Sequence, residues 1–479
     1  MNIRSLPLLG AFIVLMLSTS GCTNFLGVIP KGQKIPKTLE DYNAFIRNNF
    51  SYHYYDSDQL YILMGDVFQT PTAVSSPSLT RTHYLADESV KRVDVMGGVD
   101  KQPYFGGYEG IFAWNLIIEE GSIVTDGTVE ERNRLIAQAR VLRAMHYFYL
   151  TNYYADQYSQ STRENLSVPL VTSPTVDAPS PQVTLEEMYG FLIEDLQQAL
   201  REGLPTRSES ILHPNLATGY GMLARVYLSM GNYEQALHYS SLALEQNDRL
   251  YDWIGYYMND RARFDDPKNY VSRVNGNPET DNVENYIYGY GSTRGWMGLR
   301  SLSYAISTDR AALFEPGDTR LLTHWKFRTS AKGYSCYVGI YSVEMNRGGV
   351  RAPEMYYIKA ECLARKGDAA NISEAMDLVN AVRKTRILPE YYKPWSANST
   401  EEAVKLIIRD KANEYIQNQV IYCDYRRLNK DPKYARNFTR EVDGNTYTLQ
   451  PDSHLWIMPF HPDVMSNPGN NPIRQNVDK

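Results

Sequence analysis

Apolar residues recur at helical spacing over long stretches of this chain. Across residues 130–154, Leu135, Ala139, Leu142, Met145, Phe148 and Leu150 recur at helical spacing. The aromatic positions Tyr147, Phe148, Tyr153 and Tyr154 follow the same spacing and predict packing against neighbouring helices. Two further helices are marked at their starts. Thr184-Leu185-Glu186-Glu187 and Ser399-Thr400-Glu401-Glu402 set a hydroxyl residue three positions before a glutamate, the capping-box pattern, and an amphipathic run follows each. Residues 66–104 and 251–308 lack this periodicity. They are rich in Gly, Pro, Asn, Ser and Tyr and too long for plain connections, which predicts elaborated loops that carry function.

The segment from Leu216 to Asn247 reads as two helices joined by a tight turn. Ala224 and Ala236 let them approach closely, Gly231 turns the chain, and Tyr227 and Leu237 fill the seam. The order resembles a tetratricopeptide repeat. From Glu354 to Arg386 the pattern returns with Ala360, Leu363, Gly367, Ala375 and Val379. Because one helix pair cannot bury its own faces, two detectable copies imply an array. The expected fold is all-α, with about four tetratricopeptide-like helix pairs near 37–50, 107–155, 184–247 and 352–427 and a loop-rich lobe from the insertions at 66–104 and 251–308.

The N-terminus bears on location. Arg4 precedes an apolar run from Leu6 to Leu17, then the small residues Ser18, Thr19, Ser20 and Gly21, so residues 1–21 read as an export signal peptide. The run is too short for a permanent span of about 20 residues. Small residues before Cys22 resemble a bacterial lipobox, in which that thiol is acylated and begins the mature chain. Thr19 stands where such signals usually have Leu, and secretion with a free Cys22 is the alternative. The remaining cysteines, Cys336, Cys362 and Cys423, allow at most one disulfide, and the last two fall in helical patterns that predict a core position.

Composition removes several functions. With 55 acidic against 49 basic side chains the net charge is −6, without the basic excess that phosphate binding needs, so no nucleic-acid partner is expected. The 38 Tyr far exceed the 14 Phe and 6 Trp, and a ring with a hydroxyl suits a polar recognition surface as well as a core. Eight scattered His without H-E-x-x-H, and cysteines without C-x-x-C spacing, support no metal site or cofactor. No G-x-S-x-G elbow or P-loop occurs; Gly289, Gly291 and Gly295 have the wrong spacing and are interrupted by Tyr288, Tyr290 and Trp296. Adjacent acids such as Asp265-Asp266 do not define a glycosidase, which needs carboxylates facing each other about 5 to 9 Å apart. No catalytic residue is assigned.

The run from Ala139 to Ala155, followed by Ser167-Val168-Pro169-Leu170, resembles the signature helix and loop of the SusD/RagB family of outer-membrane lipoproteins. In the same order as in that family come Tyr104, Tyr108, Ile111 and Asn115, the D-x-R turn of Asp318 and Arg320, the late repeat helix with Arg351, Glu354, Met355 and Ala360, and the closing stretch from Leu455-Trp456-Ile457-Met458-Pro459 to Asn476. Between Arg409 and Arg427 the chain departs: Asp410, Lys411, Glu414, Asp424 and Arg427 fit, whereas Asn418, Gln419 and Ile421 do not, which puts a local ion-pair network in question. Thr23 to Lys31 also lacks the acidic residues that the family often carries after its lipid cysteine.

The resemblance implies a non-catalytic nutrient-binding lipoprotein, anchored through Cys22 in the outer membrane and facing outside. It would act as a lid on a SusC-like TonB-dependent transporter. The implied ligand is an oligosaccharide; a peptide, or a structural lid that contacts no ligand, are the alternatives. By analogy the site lies on the face built by the segment before the Tyr104 helix and the insertion between the two repeats. That region holds Arg81, Asp94, Asp100, Tyr104, Tyr286, Tyr288, Tyr290, Arg294 and Trp296. Tyr104 also reads as a core contact, and Trp253, Trp325 and Trp456 as structural. Few charges among the projected residues predict binding insensitive to salt.

Overall fold

The computed structural model describes residues 36–48, 57–175, 179–268, 282–289, 305–330, 332–339, 346–466 and 473–477. The signal peptide, Cys22, Tyr290, Arg294 and Trp296 lie outside them. Among the described residues nine helices reach ten residues or more: α1 (Gln102–Glu120), α2 (Val129–Tyr154), α3 (Leu185–Glu202), α4 (Leu216–Ser229), α5 (Tyr233–Gln246), α6 (Ala352–Ala364), α7 (Ala369–Lys384), α8 (Thr400–Glu414) and α9 (Gln419–Leu428). Each of α1 to α7 packs on the next, α6 and α7 both pack on α8, and α9 leans on α4, so the helices form a continuous array. The expected all-α, tetratricopeptide-like core is present.

Local chemistry explains the boundaries. Thr128 and Thr184 close full capping boxes at the starts of α2 and α3. Ser399 makes only half of one: its hydroxyl accepts from the Glu402 N–H, but the Glu402 carboxylate reaches one residue further back, to the N–H of Asn398 at 2.8 Å. Gly231 and Gly367 turn the chain between α4 and α5 and between α6 and α7 at φ of +74° and +89°. An L-residue there would cost roughly 1–2 kcal/mol. The matching position of the two glycines is what makes the repeats visible in the sequence. Ala224 and Ala236 are fully buried where α4 meets α5, and Tyr227 stacks on Tyr239 at 5.6 Å.

The inserted lobe is more structured than its composition predicts. It carries a small sheet in which Ser335–Gly339 lies between Ile306–Ser307 and Trp325–Thr329, and it extends past residue 308 to the strand Val350–Arg351 that precedes α6. After α9 a hairpin pairs Phe438–Val442 with Asn445–Leu449 around Asp443-Gly444, both at positive φ.

Tyr147, Phe148, Tyr153 and Tyr154 are buried, as their spacing predicts; Tyr154 stacks on Phe460 at 5.3 Å and Tyr153 meets Tyr422 edge-on. Trp253, Trp325 and Trp456 are core residues. The three described cysteines are free thiols, and burial pushes Cys362 and Cys423 up to about 12.

The ion-pair network that the departures at Asn418, Gln419 and Ile421 put in question is intact. Glu414, the last residue of α8, accepts from Arg320 (3.2 Å), Arg351 (3.0 Å) and Arg386 (3.1 Å). Arg320 also chelates Asp318 and reaches Asp410, each at 2.7 Å, while Arg386 reaches Glu284 at 2.6 Å. Asn418 instead caps α9 by accepting from the Val420 N–H, and Ile421 is core. A second cluster joins Glu361 to Arg365 and Arg427, with Arg427 also on Asp424 and Asp424 on Lys411.

Burial alone would raise the Glu361 carboxyl, but Arg427, Arg365 and Lys411 overcome it and hold the group down at about 2, against 4.5 ordinarily. The folded pKa is depressed, so this pairing stabilises the fold fully above about pH 4.5 and is lost as pH falls toward 2. Glu361→Gln removes the charge that faces Arg365 and Arg427, leaving Arg427 to Asp424, and should lower the urea-unfolding free energy at pH 7 by about 1.5–3 kcal/mol. It should also flatten the decline of stability between pH 4.5 and 2; a decline as steep as in the unsubstituted protein would refute this assignment.

Candidate functional site

The two irregular regions of the sequence meet in space. The Phe68 N–H donates to the Ala305 carbonyl at 2.6 Å, tying the segment before α1 to the inserted lobe. Beside this link lies a hollow of about 440 Å³, walled by Phe68 and Tyr84 from the first region, Ser307 to Arg310 and Ser335 from the lobe, and Asn437 to Glu441 from the hairpin. Ser307 caps the short helix Thr308–Ala311 by accepting from the Arg310 N–H at 3.0 Å, which sets where Arg310 leaves the backbone. The Arg310 guanidinium then donates to Asp66 (2.7 Å), Asn413 (3.0 Å) and the Ala412 carbonyl (2.7 Å), joining both regions to α8. Arg440 donates to the carbonyls of Ile62 and Leu63 and lies 5.0 Å over the Tyr84 ring; burial brings its guanidinium down to about 10. The floor is thus rigid. Its rim is exposed and polar, with Asp309, Ser335, Asn437, Thr439 and Glu441.

A second hollow of about 790 Å³ adjoins the first across Arg310, Leu313 and Arg436, which line both. Its walls are the outer face of α8, the end of α9 and the turn at 432–436. Leu313 on the shared ridge is 46% exposed. Both volumes fall in the roughly 300–1,000 Å³ range of ligand sites. A third space of about 40 Å³, beside Arg320, Arg351 and Glu414, belongs to the ion cluster and has room for about one water. Among the described residues no group of His, Cys, Asp and Glu is placed to hold a metal ion, and no helix is long and apolar enough to cross a membrane.

None of the described residues projected from sequence lines these hollows. Arg81 is half-buried 3.5 Å from Asp87, Asp94 lies exposed 3.8 Å from Lys91, and Asp100 accepts the Gly97 N–H at 2.7 Å within a turn. Three projections need correcting. Tyr104 is 4% exposed and packs edge-on against Tyr154 and Phe460, so its core reading holds. Tyr286 and Tyr288 are fully buried: Asn285–Ile287 is a strand paired with Val350–Arg351, the Tyr286 hydroxyl donates to the Asn247 carbonyl, and the Tyr288 N–H to that of Ile211. Strand pairing, unread in a Gly- and Tyr-rich segment, turns these rings inward.

Sequence reasoning missed Asp309, Arg310, Asn437, Thr439 and Glu441. Two signals could have found them: Ser307-Thr308-Asp309 is a helix-start pattern, and Asp443-Gly444 between alternating residues marks the hairpin that carries the last three.

Residues 46–228 match the model of a SusD-like family described as starch-binding and associating with the outer membrane. Solved structures share the fold over nearly the whole chain. A SusD superfamily protein from Bacteroides thetaiotaomicron, 17% identical, is covered over 100% of its length by 92% of this chain at a TM-score of 0.67. A putative sugar-binding protein from Bacteroides vulgatus, 19% identical, is covered over 99% by 93% of this chain at 0.65. A SusD-like carbohydrate-binding protein from Bacteroides vulgatus, 17% identical, is covered over 98% by 91% at 0.64. No curated protein matches the sequence. At these identities the structures establish the fold, which this chain shares with SusD superfamily proteins, and residues 46–228 carry the sequence similarity to the SusD-like family.

Proposed function

We propose that the protein is a non-catalytic subunit that binds an oligosaccharide at the paired hollows and covers the mouth of a SusC-like TonB-dependent transporter, held to the outer membrane by acyl chains on Cys22 and facing outward. The observation that carries the binding half is the convergence of both irregular regions on one hollow whose rim offers what sugar hydroxyls need. Ser335 and Thr439 can donate and accept, Asn437 does both through its amide, and Asp309 and Glu441 accept. The rings of Phe68 and Tyr84 supply apolar surface beside them. The family description as starch-binding supports this reading, and its association with the outer membrane supports the anchor and the transporter partnership. Tyr290, Arg294 and Trp296, outside the described residues, stay proposed ligand contacts.

Asp309→Ala and Asn437→Ala should each weaken oligosaccharide binding about tenfold, the loss expected for one hydrogen bond of about 1.4 kcal/mol, with the helical circular dichroism unchanged. Calorimetry against a glycan panel measures this; silence across the panel with retention of a peptide mixture would transfer the site to peptides.

Cys22→Ala should release the protein from the membrane fraction, and protease shaving of intact cells should cleave the unsubstituted protein. Unchanged fractionation would remove the anchor from the proposal. Co-purification of a large β-barrel from solubilised membranes tests the partner.

A further inference from the structure

The larger hollow has a charge opposite to that of the chain around it. The protein carries a net charge of −6, yet among the described residues this hollow is lined by five cations, Arg310, Lys405, Arg409, Lys433 and Arg436, against one acid, Glu401. That acid is committed to Lys405 at 2.6 Å, and Arg310 to Asp66. Among the described residues Arg409 and Arg436 are held by rings rather than by carboxylates. Arg409 lies 5.4 Å over Trp395, and Arg436 lies 4.2 Å over Phe438 and 4.6 Å over Tyr425. A guanidinium stacked on a ring keeps its plane fixed while its N–H edge stays turned to the side, the geometry that receives a carboxylate or sulfate through two parallel hydrogen bonds. Both arginines and both lysines are exposed. Between them Val404, Ile408 and Leu428 give the hollow an apolar floor for the C–H faces of a sugar ring.

Resting on the glycan-binding reading above, we infer that this hollow selects anionic oligosaccharides, sugars whose carboxylate or sulfate groups are met by Arg409, Arg436, Lys405 and Lys433. Because Arg310, Leu313 and Arg436 line both hollows, one extended ligand can place charged residues in the basic hollow and hydroxyl-only residues in its polar neighbour. This reverses the salt insensitivity expected from the residues projected by sequence.

The test is titration calorimetry of the mature chain with three probes: oligogalacturonate, a chondroitin sulfate oligosaccharide and neutral maltohexaose. At least one anionic probe should bind more tightly than maltohexaose. Its affinity should fall on the order of tenfold or more between 0.1 M and 1 M salt, as the screening length drops from about 10 Å to about 3 Å. Lys405→Glu combined with Lys433→Glu should cost on the order of tenfold for the anionic probe only, whereas Lys405→Arg with Lys433→Arg should retain binding. Both lysines are exposed and the Lys405–Glu401 pair contributes little, so the helical spectrum should not change. Preference between the uronate and the sulfate probe identifies the anionic group. Maltohexaose bound as tightly as either, without salt dependence or loss in the charge-reversed variant, overturns this inference and leaves glycan binding standing. Failure of all three probes while a peptide mixture is retained overturns the glycan reading itself.

Discussion

The placement of the inserted lobe depends on one carboxylate. Glu414 ends α8 and accepts hydrogen bonds from Arg320 in the lobe, Arg351 at the start of α6 and Arg386 just beyond α7. Burial pushes its carboxyl up, but the three guanidinium groups overcome this and hold it well below the usual range. The nearby acids share what remains: burial raises Asp318 and Glu284 in spite of their own arginines. A buried ion cluster is weak ground for net stability, because desolvating each charge costs several kcal/mol. Its effect here is geometric. Each arginine comes from a different element, so only one docking of the lobe on the array satisfies all three at once.

Arg310 carries that geometry to the surface. It lies ten residues before Arg320 on the same inserted segment and is pinned to Asp66 before α1 and to Ala412 and Asn413 on α8. The side chain that braces the junction also forms the ridge between the two hollows. Rigid scaffold and candidate binding surface are therefore continuous.

The repeats were legible because their information is local. Small residues at Ala224, Ala236, Ala360 and Ala375 and turns at Gly231 and Gly367 lie within a few dozen residues of one another, and no distant partner is needed to read them. The ion clusters were not. Arg386 and Glu284 are 102 positions apart and Arg310 and Asp66 are 244 apart, and no spacing rule pairs such residues in a single sequence. The lining of the two hollows was hidden for the same reason at shorter range. Two of the regions that build the hollows were identified from their lost periodicity, but the lining residues sit on a hairpin and a one-turn helix docked by distant contacts, Arg440 on the Ile62 and Leu63 carbonyls and Arg310 on Asp66.

The tyrosine excess serves two purposes that composition alone does not separate. The count of 38 suits a core as well as a recognition surface, and Tyr149, Tyr189, Tyr357 and Tyr422 are buried and use their hydroxyls inward. They bond to the Gly348 carbonyl, Ser229, Asp410 and the Trp456 carbonyl in turn. A helix array joined by a large insertion has many seams where one side is apolar and the other is backbone or charge. Phenylalanine would leave the polar side of such a seam unsatisfied, whereas tyrosine fills the apolar volume and closes the hydrogen bond in one side chain. The same demand explains why the arginines stack on these rings. At the edge of the array, where a seam opens to solvent, Arg436 over Tyr425 is the same arrangement with its outer side unfilled, and there a packing device becomes a means of recognition.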